Sequence, residues 1–328
     1  MSAAAGPVVP GEWLTCFAAE LRPRLGPHDR YGMLAFKTSG VAQAKLQRRP
    51  RQKTKSQGAL DARIGREVSV PTGLPPHEGK YAFAVMVKAP RSGEVKTRLV
   101  PPLCAQEASR LSACFVKDIL ANLLSVAESV PIDCYAAYSP PGSEALFHEF
   151  LPPEVRLLAP RSIGLANGLP DAVEDLIAEG YAGACLLNAD SPTLPTSLLT
   201  EAITSLRAPG DRVVLGPATD GGYYLIGLKH PHRRLFHDIA WSTERVYRQT
   251  AERAASIGLE LVTLPAWYDV DDAVSLSWLC RELLEGRAPP QCSRNGYVAS
   301  HTRAYLRELM AAGSARLTMS HTLEPIAP

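Results

Sequence analysis

From Tyr81 onward the sequence alternates short apolar runs with longer stretches of helical spacing. That pattern constrains the fold more than any single residue does. Tyr81–Val87, Ile132–Tyr138, Val155–Leu158, Ala182–Asn188, Arg212–Leu215, Tyr223–Leu228 and Leu259–Leu264 are predicted as strands. Ala105–Glu128, Glu144–Phe150, Leu169–Glu179, Thr196–Leu206, Ser242–Ile257, Asp271–Leu284 and Ser300–Ala312 are predicted as helices. Strands alternating with helices predict a three-layer α/β/α domain around a mostly parallel sheet. In such sheets ligands bind where strands end, so chemistry-bearing residues are sought just after the apolar runs.

The first 79 residues carry no sustained period. Residues 1–80 hold 13 basic and 6 acidic residues, a net +7, whereas residues 81–328 hold 22 and 27, a net −5. The basic stretch around RRPRQKTK cannot bury much surface. Three parts are therefore expected: a flexible, largely disordered extension over 1–79, a folded domain over 80–312 and a tail over 313–328. A nucleic-acid-binding arm is the weaker reading of the extension. No apolar run reaches the ~20 residues of a membrane span. No secretory signal is seen at the N-terminus. The seven cysteines form no CxxC pair, which fits a cytoplasmic protein.

Five blocks sit where the strands end. The first follows Tyr81–Val87 and gathers Lys88, Lys96, Thr97 and Arg98 around Gly93. Cations on a glycine-containing loop suit a di- or triphosphate, although a solvated basic turn has the same composition. Next comes Asn188-Ala189-Asp190-Ser191-Pro192, where Asp190 suits a divalent ion bridging phosphates, or a simple turn. The third block is GPATDGGYYLIG, residues 216–227. Asp220-Gly221-Gly222 invites a tight turn, which a plain hairpin would also use, and the tyrosines that follow suit a pocket floor with Asp220 as base or metal ligand. In the fourth, Trp241-Ser242-Thr243 is predicted to open a helix, which a Ser242 N-cap and a core Trp241 largely account for, with an anion at the helix N-terminus as the further reading. In the last, Asp269 and Asp271 fall on one side of an extended chain and suit a hard cation, while Asp272 caps the next helix.

The order of KAPRSGEVKTRL, LNADSPTL, GPATDGGYYLIGL, IAWSTERVYRQT and LPAWYDVDD resembles a family of small GT-A-like transferases. That family is known as arsenosugar-biosynthesis glycosyltransferase, or rSAM/selenodomain-associated transferase. The resemblance covers about Tyr81–Leu309. It implies a nucleotide-diphospho-sugar transferase fold. It also implies phosphate contacts from Lys88, Gly93, Lys96, Thr97 and Arg98, and a divalent metal (Mg2+ or Mn2+) at Asp190, Asp269 and Asp271. Gly221, Gly222, Tyr223, Trp241, Ser242 and Thr243 would contact substrate, with Asp220 as the catalytic group. The chain departs from the family pattern at residues 162–168, which lack the family's arginine, and at Asn188, where glycine is common.

The expected function is metal-dependent glycosyl transfer from a nucleotide sugar to a small-molecule acceptor. A nucleotidyltransferase that joins an NTP to a phosphorylated acceptor is the alternative. A non-catalytic nucleotide-binding relative is the third reading.

Overall fold

The computed structural model describes residues 77–162, 164–289 and 291–312. The expected tail, and the expected extension up to residue 76, lie outside the described residues.

Seven strands form one sheet: β1 (Tyr81–Lys88), β2 (Ile132–Ser139), β3 (Arg156–Leu158), β4 (Ala184–Asn188), β5 (Arg212–Pro217), β6 (Tyr223–Leu228) and β7 (Glu260–Thr263). Their spatial order is β3-β2-β1-β4-β6-β5-β7. β6 runs antiparallel to both β4 and β5, and every other pairing is parallel. The expected mostly parallel GT-A-like sheet is therefore present, with one reversed strand in it. β5 and β6 form a hairpin, and only its return strand breaks the parallel set.

The helices are α1 (Ala105–Ala127), α2 (Glu144–His148), α3 (Leu165–Ala178), α4 (Thr196–Arg207), α5 (Val246–Ser256), α6 (Ala273–Glu285) and α7 (Ser300–Ala311). They cover both faces of the sheet. Alternation along β1 sends Phe83, Val85 and Val87 into a core shared with α1, α4, α6 and α7. Ala82 and Ala84 face the other way, toward α3 and α5. At the start of α1, Cys104 and Glu107 exchange hydrogen bonds in a capping box.

Two predicted helix starts are corrected. The helix expected from Ser242 begins at Val246, and Ser242 is no N-cap: its φ is 62°, left-handed. Residues 240–245 instead form a tight turn in which Thr243 Oγ1 donates to the Ala240 carbonyl at 2.6 Å. The helix expected from Leu169 begins at Leu165, with Pro170 inside it. Proline lacks a backbone N–H at its own position only, so the turn before it still closes, and the Gly168 amide reaches the Gly164 carbonyl at 2.8 Å.

The described chain packs from His77 onward. The His77 ring stacks on Tyr181 at 4.1 Å and its Nδ1 lies 3.1 Å from the Asp133 carboxylate. At the opposite end of the sequence, Asp118 of α1 accepts the amides of His301 and Thr302 and so caps α7 from another helix.

Candidate functional site

The parallel register brings the ends of β1 and β4 together, with Met86 beside Asn188. The chain leaves β1 through a loop with Gly93 at φ 82° and Lys96 at φ 50°. A lysine in the left-handed region is strained and persists only when its surroundings hold it there. Here they do. Lys96 Nζ is almost wholly buried, donates to the Val270 carbonyl at 2.8 Å and to Asp271 Oδ1 at 2.9 Å, and forms an ion pair with Asp190. It also lies 5.5 Å from the Phe115 ring centre. Burial alone would lower the lysine's pKa, but the Asp190 and Asp271 carboxylates outweigh it and hold the pKa above its usual value.

Thr97–Leu99 forms one 3-10 turn. It presents Arg98, whose Nη2 donates to Asp271 Oδ2 at 2.8 Å. Burial would raise the Asp271 pKa, yet Lys96 and Arg98 together hold it below the usual carboxylate range. Lys88 stands at the loop's other side, exposed, with Nζ on the Glu94 carbonyl at 2.8 Å. A cavity of about 230 Å³ is lined by Lys88, Lys96, Thr97, Arg98 and Asp190.

Asp190 and Asp271 meet because the segment after β7 runs back along the end of β4. The Val270 amide donates to the Asp190 carbonyl at 2.9 Å. The same segment carries Asp269, whose carboxylate lies with those of Asp220 and Asp271, with one oxygen from each within 4.8 Å of the others. Asp269 is buried, and its pKa is pushed up to about 7, first by that burial and then by Asp220, Asp271 and Asp190. Asp272 lies outside this group and caps α6 in a capping box with Ser275, as read from the sequence.

The β5–β6 turn holds Asp220 Oδ1 on the Gly222 amide at 2.8 Å. Gly221 has φ 89°, and a Cβ there would overlap the Glu244 backbone. The Gly221 carbonyl accepts the Tyr247 amide at 2.9 Å. Only glycine fits that close approach, and it locks the turn onto the segment bearing Trp241, Ser242, Thr243 and Glu244. Together they border a cavity of about 560 Å³ that also reaches Tyr223, Asp190, Asp269, Asp271 and Arg98. Lys88, Gly93 and Lys96 stand outside that lining, on the cationic loop beside it.

Sequence reasoning missed a third cavity, of about 310 Å³, between the ends of β1, β2 and β3 and the start of α3. Arg161, Ser162, Asp171 and Asp175 line it. Arg161 and Arg233 tie it shut at one side: Arg161 Nε donates to Asp175 at 3.0 Å and Arg233 Nη2 to Asp171 at 2.5 Å. The signal that marks this place is the departure from the family pattern at residues 162–168, directly after the short β3.

Comparison with known proteins follows the same outline. Residues 122–243 match a family described as uncharacterized proteins conserved in bacteria, DUF2064. No curated protein matches the chain. Among solved structures, a candidate nucleotide-diphospho-sugar transferase from Desulfovibrio desulfuricans G20 is 28% identical. It aligns with a TM-score of 0.61 over 72% of this chain and 97% of its own. More distant is the mannosyltransferase PcManGT from Pyrobaculum calidifontis in complex with GDP-Man and Mn2+, at 14% identity and TM-score 0.39 over 75% of this chain and 80% of its own. A CMP:2-keto-3-deoxy-manno-octonic acid synthetase complexed with CTP aligns at 11% identity and TM-score 0.43 over 63% of this chain and all of its own. At those values neither bears on what this chain does. The chain therefore has a mostly parallel, seven-stranded GT-A-like fold similar to that of the Desulfovibrio protein, and its residues 122–243 match the DUF2064 model.

Proposed function

We propose that this chain transfers a glycosyl group from a nucleotide sugar to a small-molecule acceptor, with a divalent ion. One observation carries the reading. Lys96 and Arg98, from the loop after β1, converge on Asp190 and Asp271 at neighbouring strand ends beside the large cavity.

The donor set suits a hard cation. Asp220, Asp269 and Asp271 offer only carboxylate oxygens, and Asp269 is buried with no cationic side chain against it among the described residues. Asp269 and Asp271, with Asp190 beside them, would hold Mg2+ or Mn2+, and Asp220 stays free as the base. When bound, the ion supplies charge neutralisation for the departing diphosphate.

The chain's own groups do the rest. Lys96 and Arg98 take the phosphate oxygens, exchanging carboxylate partners for phosphate ones. Lys88 lines the smaller cavity with them, on the loop that Gly93 turns. The nucleoside extends toward the cavity between β1, β2 and β3. Gly222 fixes one oxygen of Asp220, and the other receives the proton of the acceptor hydroxyl. The acceptor oxygen, freed of its proton, attacks the anomeric carbon. The bond from carbon to phosphate oxygen breaks, and the nucleoside diphosphate leaves with the electron pair.

Calorimetric titration of nucleoside diphosphates in Mn2+ tests the phosphate assignment. Lys96→Ala and Arg98→Ala are each expected to weaken binding about tenfold or more, the weight of a lost charge-assisted hydrogen bond. Undiminished affinity in both variants would remove the basis of the reading.

A further inference from the structure

The charges around the strand ends are sorted by cavity. Lys88, Lys96 and Arg98 line the smaller one, of about 230 Å³. The larger one, of about 560 Å³, has Arg98 as its only basic lining residue among those described, and Asp271 holds that arginine at 2.8 Å. Its remaining charged lining is acidic. Asp220, Glu244 and Asp269 make no ion pair with a lysine, arginine or histidine of the described residues. Its apolar lining is aromatic as well as aliphatic: Met86, Tyr223 and Trp241 are partly buried against the core beneath the cavity, and Leu165 stands exposed at 46%. The Tyr223 hydroxyl is buried and makes no hydrogen bond.

A phosphorylated acceptor finds no unengaged basic side chain among the described residues of this lining, and under the reading above Arg98 and the metal site serve the donor diphosphate. Bringing a second phosphate beside the Asp220 and Glu244 carboxylates and a bound diphosphate would be opposed by like charge. A cation meets the reverse situation. Glu244 attracts it, and the rings of Trp241 and Tyr223, which line the same cavity, carry the quadrupole that favours ammonium groups.

We propose that the large cavity takes a small, hydroxyl-bearing acceptor with a positively charged ammonium-type group and no phosphate. The proposal rests on the transferase reading above and names the acceptor class for it. The acceptor hydroxyl supplies the attacking oxygen and loses its proton to Asp220. The charged group stays between Glu244 and the Trp241 ring and takes no part in bond making.

Three matched probes test it on the full-length protein with Mn2+ and a saturating nucleoside diphosphate: choline, 3,3-dimethylbutan-1-ol as its uncharged isostere, and glycerol 3-phosphate. Ligand-observed NMR reads their affinities. Choline is expected to bind about tenfold tighter than the isostere, and Glu244→Gln to lower that preference severalfold. Glycerol 3-phosphate is expected not to compete. Choline binding no tighter than the isostere, absence of choline binding, or competition by glycerol 3-phosphate would each overturn the proposal. Nucleotide affinity, measured separately, tells the two failures apart. If nucleotide binds and choline does not, the acceptor class is wrong. If no nucleotide binds, the transferase reading fails.

Discussion

Lys96 Nζ lies 2.9 Å from Asp271 Oδ1, across 175 residues of sequence. This contact joins the loop that leaves the first strand to the segment that follows the last one. With Asp190 on its other side, the ammonium sits between two carboxylates as a built-in cation.

Lys96→Ala removes that cation and leaves both carboxylates facing each other. A fully buried pair broken in this way costs about 3–5 kcal/mol, and the partial exposure of Asp190 and Asp271 reduces the expected loss to about 2 kcal/mol. Chemical denaturation measures it. Added Mn2+ is expected to restore part of the loss in the variant, because a metal cation then occupies the acidic site. A variant as stable as the parent would show that the pair does not hold the loop.

Asp269 supplies the pH dependence. Its pKa is raised to about 7 in the folded chain, chiefly by burial. The folded state therefore keeps a proton that the unfolded state releases near pH 4. Stability contributed by this residue falls as pH rises from about 4 to about 7 and stays low above that. Asp269→Asn is expected to melt higher than the parent at pH 8 without metal, with the gap closing near pH 5. Mn2+ affinity of the parent is expected to rise over the same interval, since the ion displaces the proton. A melting difference independent of pH would contradict the assignment.

Gly221 couples the Asp220 turn to the Trp241–Glu244 segment. Gly221→Ala places a side chain at φ 89°, against the Glu244 backbone. Such strain costs about 1–3 kcal/mol, and relief requires the two segments to part. Thermal melting reads the stability loss. Turnover is expected to fall more than nucleotide affinity, because the phosphate loop lies elsewhere.

We propose that the transferase domain is self-sufficient from residue 76 onward. Among the described residues, the sheet, both cores and the three cavities are all formed after that point. Removing residues 1–75 is expected to leave the melting temperature within a few degrees of the full chain. Starting the chain at residue 80 instead removes His77 from its stack on Tyr181 and is expected to lower it further. A large drop in the first truncation would show that the domain extends upstream.

Much of this fold is written in local patterns. The existence of each strand and α-helix follows from runs of apolar residues and their spacing, although two helix starts do not, and the Trp241-Ser242-Thr243 block lies in the turn before α5 where the other four follow strands. What local pattern does not carry is pairing. Nothing in Tyr223–Leu228 says that it lies between β4 and β5 and runs against both, because the direction of a strand in a sheet is fixed by its neighbours. Asp190 and Asp271 read as two separate acidic turns, and only the Val270–Asp190 backbone bond brings them to one lysine. Ser242 looked like an N-cap because serine before a helical run has that chemistry. The Gly221 contact with the Glu244 backbone turns the chain there and delays the helix to Val246.

The central claim is that Lys96, Arg98 and the acidic strand ends handle the diphosphate of a sugar donor. The most direct measurement is product analysis after incubating the protein with Mg2+ or Mn2+, a panel of nucleotide sugars and nucleoside triphosphates, and hydroxyl-bearing acceptors. The account predicts release of a nucleoside diphosphate from one nucleotide sugar, dependent on metal and abolished in Asp271→Ala. Release of pyrophosphate from a nucleoside triphosphate would contradict it and assign nucleotidyl transfer instead. Stabilisation by nucleotide with no product at all would contradict it as well and leave a binding protein.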